Sequence, residues 1–397
     1  MNTQNSIKKT VSELLPEAKK FLCNLIKIPS TSGREQKAMN AVINAFSRIC
    51  DKTEKIKLTE KLKKDIDYST PIPDLKYAGR FNVRSIFKGA EKGKNVVFNT
   101  HLDVVPPSED MEKPWQPIIK GDYVFGRGAC DAKGQAATLF LVMSVLRKMR
   151  IKLAGDVIAH LVVEEENGGN GTLAMVRRGE KADACIVLEP TDGKLFTSIR
   201  GAVWFKIIFK GTAGHSGAAG ASKSALLMAR DAIGILEKYH ADLLAASKGI
   251  QLFDDYPNPM PITFGSLQAG NWPASTPSKA ILMGVLGLLP NKTYKQVCDE
   301  MKGALKNGLG EIARDNFEIE FMYRHDSSVL DPLHPFPSAI VSAAKTMGHE
   351  IQISAMTASC DAWFYNNQLK IPTVVFGPGT LKVAHSKHEQ ISMQEIG

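Results

Sequence analysis

The chain has 397 residues, 44% of them hydrophobic and 23% charged, which is the balance of a soluble globular protein with room for about two to three domains. No apolar run approaches the roughly 18 residues that span a bilayer, and the opening MNTQNSIKKTVSELLPEAKK has no apolar signal core, so a cytoplasmic protein without a membrane partner is expected. The net charge of +9 is spread out, and its one dense stretch, DKTEKIKLTEKLKKDID, alternates in sign; this reads as a solvated face and argues against nucleic acid, while leaving room for an anionic small substrate.

In chain order, short apolar runs alternate with helical patterns. NVVFNT reads as a strand and KGQAATLFLVMSVLRKM as a helix. DVIAHLVV is a second strand, AMVRRGEK starts a shorter helix, and ACIVL is a third strand. These strands are apolar on both faces, as parallel strands covered by helices are. The character changes near residue 199. AVWFKIIFKG alternates like a strand with one exposed face, followed by the helix SKSALLMARDAIGILEKYH. The strands PITFGSLQAG and AILMGVLGLL, the helix TYKQVCDEMKGALKNG and the strand NFEIEFMYRH complete a β-α-β-β-α-β unit. IPTVVFGPG then reads as another buried parallel strand. The expected fold is a layered α/β catalytic domain made of residues 1–198 and 328–397, with a ferredoxin-like domain inserted at 199–327.

In such sheets functional groups gather beyond the carboxyl ends of the strands. NVVFNT ends in His101 and Asp103, HLVV in Glu164, Glu165 and Glu166, ACIVL in Glu189, and TVVFGPG leads to His385 and His388. Asp131 lies in the glycine-rich GRGACDAKG. Each alone has an ordinary reading: a core histidine, a turn aspartate, a strand-end acid, a surface histidine. Together they describe a metal site of nitrogen and oxygen ligands. Their number exceeds what one zinc needs and suggests two metals sharing a carboxylate. Asp103 can accept the ring hydrogen bond that orients His101. Neighbouring side chains of an extended segment point to opposite sides, so the three glutamates cannot share one job. The six cysteines, Cys23, Cys50, Cys130, Cys185, Cys298 and Cys360, stand singly and indicate neither a disulfide framework nor a thiolate site. There is no H-E-x-x-H, no P-loop and no G-x-G-x-x-G after a strand. GHSGA, residues 214 to 218, is a near miss for a nucleophile elbow, ending in alanine.

The stretches NTHLDVVPP, PWQPIIKGDYVFGRGACDAKG, VVEEENGG, IVLEPTDG, FKGTAGHSG and FGPGTLKVAHSKHEQIS, in this order, resemble the di-zinc amidohydrolases that include acetylornithine deacetylase, succinyl-diaminopimelate desuccinylase, aminoacylase and carboxypeptidase G. The resemblance implies two divalent metals, zinc foremost, with cobalt or manganese as substitutes. It assigns His101 and Glu189 to one metal, Glu166 and His385 to the other, and Asp131 to both. It makes Glu165 the general base toward a bridging water, Asp103 the partner of His101, and Glu164 a supporting residue. His215 would reach a neighbouring subunit's site and stabilise the oxyanion, which implies a homodimer and a closing lid. The implied activity is hydrolysis of an N-acyl amino acid; a dipeptidase or aminopeptidase, and an inactive metal-binding dimer, are the alternatives. Ala274 in AGNWPASTPSK, the arginine-free strand MGVLGLLP, His388 and a shortened or absent terminal helix depart from the pattern. The first two bear on how a substrate carboxylate is held.

Overall fold

A computed structural model describes residues 3–218, 220 and 222–397. The first part of the chain gives α1 (Thr3–Ile26), α2 (Gln36–Phe46), β1 (Lys52–Lys57), β2 (Phe81–Phe87), β3 (Val96–His101), β4 (Ile118–Lys120), β5 (Tyr123–Phe125), α3 (Lys133–Lys148), β6 (Val157–Val162), α4 (Asn170–Val176), β7 (Ala184–Val187) and β8 (Leu195–Ile199). The middle gives β9 (Gly201–Lys210), β10 (Gly214–His215), α5 (Ala225–Ala246), β11 (Ile262–Ala269), β12 (Ser275–Thr276), β13 (Lys279–Leu288), α6 (Tyr294–Gly308), α7 (Glu311–Arg314) and β14 (Phe317–His325). The last part gives β15 (Ser328–Val329), α8 (Pro335–Thr346), β16 (Ile353–Met356), β17 (Thr373–Val375), β18 (Gln390–Ser392) and α9 (Met393–Ile396).

The main sheet runs β1-β2-β6-β3-β7-β17-β8-β15, with β16 also on β8. Its centre, β6-β3-β7-β17, is parallel throughout. That fits NVVFNT and HLVV being apolar on both faces, with helices α3 and α4 packed against these strands. Phe21 of α1 and Phe140 of α3 meet with ring centroids 4.8 Å apart, joining two helices over this sheet.

The β-α-β-β-α-β order of residues 201–325 forms a separate antiparallel sheet, β11-β13-β9-β14. Val203, Phe205, Ile207 and Phe209 of β9 are buried in a core shared with residues of α5 and α6; each phenylalanine contributes about 1.5–3 kcal/mol on burial. The alternate residues Trp204, Lys206 and Ile208 are half-buried, so the second face of the strand is less open than its alternation predicts. Helix α6 begins with a capping box: the Gln296 N–H donates to the Thr293 hydroxyl and the Gln296 side chain accepts from the Thr293 N–H.

Two expectations are corrected. The short helix expected at AMVRRGEK lies earlier, starting at Asn170, because Gly169 takes a left-handed φ of 72° and turns the chain directly into it. The helix stops before Arg177, whose guanidinium is drawn to Asp65 and Asp67. The glutamate triplet is not extended: β6 ends at Val162, and Glu164 has a φ of 66°. A turn, not strand alternation, separates the three side chains. Near the C-terminus the four-residue α9 is capped by Ser392. All six cysteines are free. No helix among the described residues is long and apolar enough to cross a membrane.

Candidate metal centre

The parallel strands bring their ends to one edge. His101 closes β3, the glutamate turn follows β6, Glu189 stands two residues beyond β7, and Asp131 sits just before α3. His385 comes from the loop beyond β17, with a φ of 61°. Its side chain is half-exposed at the mouth, whereas His101 and Glu189 are buried.

Asp131 faces two imidazoles. Its Oδ1 is 3.0 Å from His101 Nε2, and its Oδ2 is 3.3 Å from His385 Nε2. His385 Nε2 is also 3.1 Å from Glu166 Oε2, and His101 Nε2 is 3.9 Å from Glu189 Oε1. Ligand atoms about 2.0–2.1 Å from a tetrahedral zinc stand roughly 3.3 Å from each other, so these separations suit a shared cation. Two triads have donor atoms all within 4.8 Å of one another: His101, Glu165 and Glu189, and His101, Asp131 and Glu166. Glu165 thus lies within ligand range as well as beside the ligands.

The hydrogen bonding sharpens the point. His101 Nδ1 is 3.0 Å from the Asp103 carbonyl oxygen, which can only accept, so Nδ1 carries the proton. Nε2 then turns a lone pair toward a carboxylate oxygen, and a proton or a metal ion must lie between them. Glu189 Oε1 is buried with no hydrogen-bond partner. The electrostatics agree. Burial, and then the charge of Glu189, push the Glu165 carboxyl well above its usual range. Burial, and then Asp131, raise Glu166; burial also raises Glu189, against the pull of His101. Burial lowers His385, but Asp131 and Glu166 outweigh it and raise the ring to about 11. Burial and mutual repulsion thus favour the neutral form of Glu165, Glu166 and Glu189, while His101 and His385 hold Asp131 low, and dications would favour the ionised form of all four. The donor set fits two such ions.

Asp103 does more than face His101. Its carboxylate accepts the backbone N–H of Glu165 (3.2 Å) and of Glu166 (3.1 Å), fixing the turn that presents them. Glu164 points the other way. It is fully buried, ion-paired to Arg80, and accepts from Tyr77 (2.9 Å) and Asn170 (2.9 Å). His215 joins none of these contacts: it is exposed on β10, and its Nδ1 accepts the Gly217 N–H at 3.0 Å. His388 is exposed, beyond the cluster. Ala274 accepts the Ser216 N–H at its carbonyl, beside His215.

Sequence reasoning missed two acids. Asp361 is 1% exposed and accepts from the Thr172 hydroxyl at 2.5 Å; burial pushes its carboxyl to about 7. It follows β16, so the strand-end rule would have found it had IQISAM been read as a strand. Glu389 braces Asp131 from behind, with Oε1 accepting the backbone N–H of Cys130 and Asp131 (3.1 Å each) and Oε2 the Arg127 guanidinium at 2.5 Å.

Known proteins share this architecture. The chain is similar to the N-formyl-4-amino-5-aminomethyl-2-methylpyrimidine deformylase of Bacillus subtilis, 29% identical over 357 residues that cover 81% of this chain and 80% of that one. It is 35% identical to the succinyl-diaminopimelate desuccinylase of Nitrosococcus oceani over 133 residues, 30% of this chain and 35% of that protein. The structure of the di-peptidase Dug1p from Saccharomyces cerevisiae shares the fold, with a TM-score of 0.80 at 15% identity over 99% of this chain and 95% of the other. The model of peptidase family M20/M25/M40 matches residues 97–397, and the chain belongs to that family of metal-dependent hydrolases.

Proposed function

We propose that the protein hydrolyses the amide bond of N-acyl amino acids, with Glu165 as the general base. The observation that carries this reading is the meeting of imidazole nitrogens and carboxylate oxygens on one sheet edge, with Glu165 held beside them. His101, Asp131 and Glu189 would hold one divalent ion and Asp131, Glu166 and His385 a second, zinc in our reading. Such ions, when bound, acidify the attacking water and polarise the amide carbonyl. Glu165 takes the water proton on a carboxylate oxygen and returns it to the amide nitrogen as the C–N bond breaks. The products are a carboxylate and a free amine. Asp103 keeps Glu165 in reach through its backbone N–H. The activities named for the B. subtilis and N. oceani relatives, removal of a formyl and of a succinyl group from an amine, support this reaction class.

His215 serves, in this reading, the site of a second subunit in a homodimer, donating a hydrogen bond to the carbonyl oxygen as negative charge develops there. Its exposure on the inserted unit, apart from its own cluster, motivates the assignment. Mixing Glu165→Gln with His215→Ala subunits should restore part of the activity that each lacks; no recovery in a verified mixed dimer would contradict it. The main reading is tested by free-amine release from N-acetyl, N-formyl and N-succinyl amino acids, and from an N-formylated aminomethylpyrimidine, with zinc or cobalt present. Turnover of the amino-acid derivatives is expected. Cleavage of unblocked dipeptides alone would instead make it a dipeptidase, and metal binding without any hydrolysis would make it an inactive binding protein.

A further inference from the structure

The small sheet of β4, β5 and β18 lends no side chain to the cluster, yet it sets two of the cluster's loops side by side. Gln390 of β18 pairs with Phe125 of β5, and beside that pair the Gly126 N–H donates to the Glu389 carbonyl at 3.1 Å. This register places Arg127, four residues before Asp131, against Glu389, four residues after His385. Both side chains are buried, and they form an ion pair at 2.5 Å. Each then reaches into the other's loop. Glu389 Oε1 accepts the backbone N–H of Cys130 and of Asp131, 3.1 Å each. Arg127 Nη2 donates to the His385 carbonyl at 3.2 Å. The Arg127 Nε is buried without a partner, so the guanidinium is turned to serve these two acceptors and not to satisfy itself.

An ion pair that only closed the core would need no such crossing. His385 needs the hold: its side chain is half-exposed, and its φ of 61° is sparsely populated for a residue with a Cβ and persists where the surroundings enforce it. Its Nε2 lies 3.3 Å from Asp131 Oδ2, a separation that depends on both loops at once.

We propose that the Arg127–Glu389 pair positions the metal centre, holding Asp131 and His385 at the separation that a shared ion requires. Neither is a ligand; both are positioning residues that act through the backbone of residues that are. This rests on the metal assignment made above and not on the hydrolysis. Zinc is titrated by calorimetry into chelator-stripped wild type, Arg127→Lys, His385→Ala and the double variant. Lys keeps a positive charge facing Glu389 but lacks the planar fork that also reaches the His385 carbonyl. Wild type should bind two ions. Arg127→Lys should weaken the binding step that His385→Ala weakens by roughly 10–100-fold, and the other step by less than about threefold. In the His385→Ala background it should weaken that step no further, because the ligand it positions is gone. Wild-type affinities in Arg127→Lys, equal weakening of both steps, or the full loss repeated in the His385→Ala background would overturn the proposal and leave a structural ion pair. Should Arg127→Lys not fold, Arg127→Gln/Glu389→Gln removes both buried charges together and keeps the Oε1 acceptor behind Asp131. The same selective loss is expected there, and its absence overturns the proposal. A wild type that binds two ions but hydrolyses no amide defeats the functional reading alone, and the affinities still decide about the pair. A wild type that binds fewer than two ions overturns the proposal itself.

Discussion

Two buried ionic clusters flank the glutamate turn, and they differ in how their charge is met. On one side Arg80 lies between Glu35 and Glu164, with Tyr77 and Asn170 adding hydrogen bonds. On the other, Asp131, Glu165, Glu166 and Glu189 meet only the imidazoles of His101 and His385, and Glu189 keeps an oxygen without a partner. The first is closed by the chain itself; the second is the one that, in the proposed function, two ions complete. Neighbouring residues of one triplet thus face different clusters: Glu164 the ion pair with Arg80, and Glu165 and Glu166, in our proposal, the chemistry; the left-handed turn at Glu164 separates them.

The contrast can be broken at either end. Glu165→Gln should cost the largest effect, a loss of about 10²–10⁴-fold in kcat, with the folded state and bound metal retained. Arg80→Leu comes next: it strands Glu35 and Glu164 as buried unpaired acids and should lower stability by about 3–5 kcal/mol, read by denaturant unfolding. Tyr77→Phe removes one hydrogen bond to Glu164 and should cost about 1 kcal/mol by the same measurement, leaving kcat unchanged. His388→Ala, at an exposed residue outside both clusters, should stay within about 0.5 kcal/mol of wild type and bind the same metal. A large loss of metal in Arg80→Leu that still folds, or of stability in Glu165→Gln, would mean that the two clusters are not separate.

Much of the site could be read from residue order, because parallel strands deliver their ends to one edge and short polar motifs follow each apolar run. What was hidden depends on distant pairing. Glu164 looks like its neighbours in sequence; only Arg80, far back in the chain and beside a charge-rich stretch, distinguishes it. Much of that stretch is exposed as expected, yet Asp65 and Asp67 anchor Arg177, and just beyond it the Ser69 carbonyl accepts from the Asn170 side chain. Asp103 was legible as a partner of His101, but its grip on the backbone of Glu165 and Glu166 needs the three-dimensional turn. Asp361 escaped because β16 is short.

The central claim is the division of the triplet, and metal content measured in parallel on Glu164→Gln, Glu165→Ala and Glu166→Ala tests it most directly. The account predicts that Glu165→Ala keeps its metal while losing turnover, that Glu166→Ala loses metal occupancy, and that Glu164→Gln keeps metal in whatever fraction stays folded. Metal lost from Glu165→Ala and kept by Glu166→Ala would contradict it.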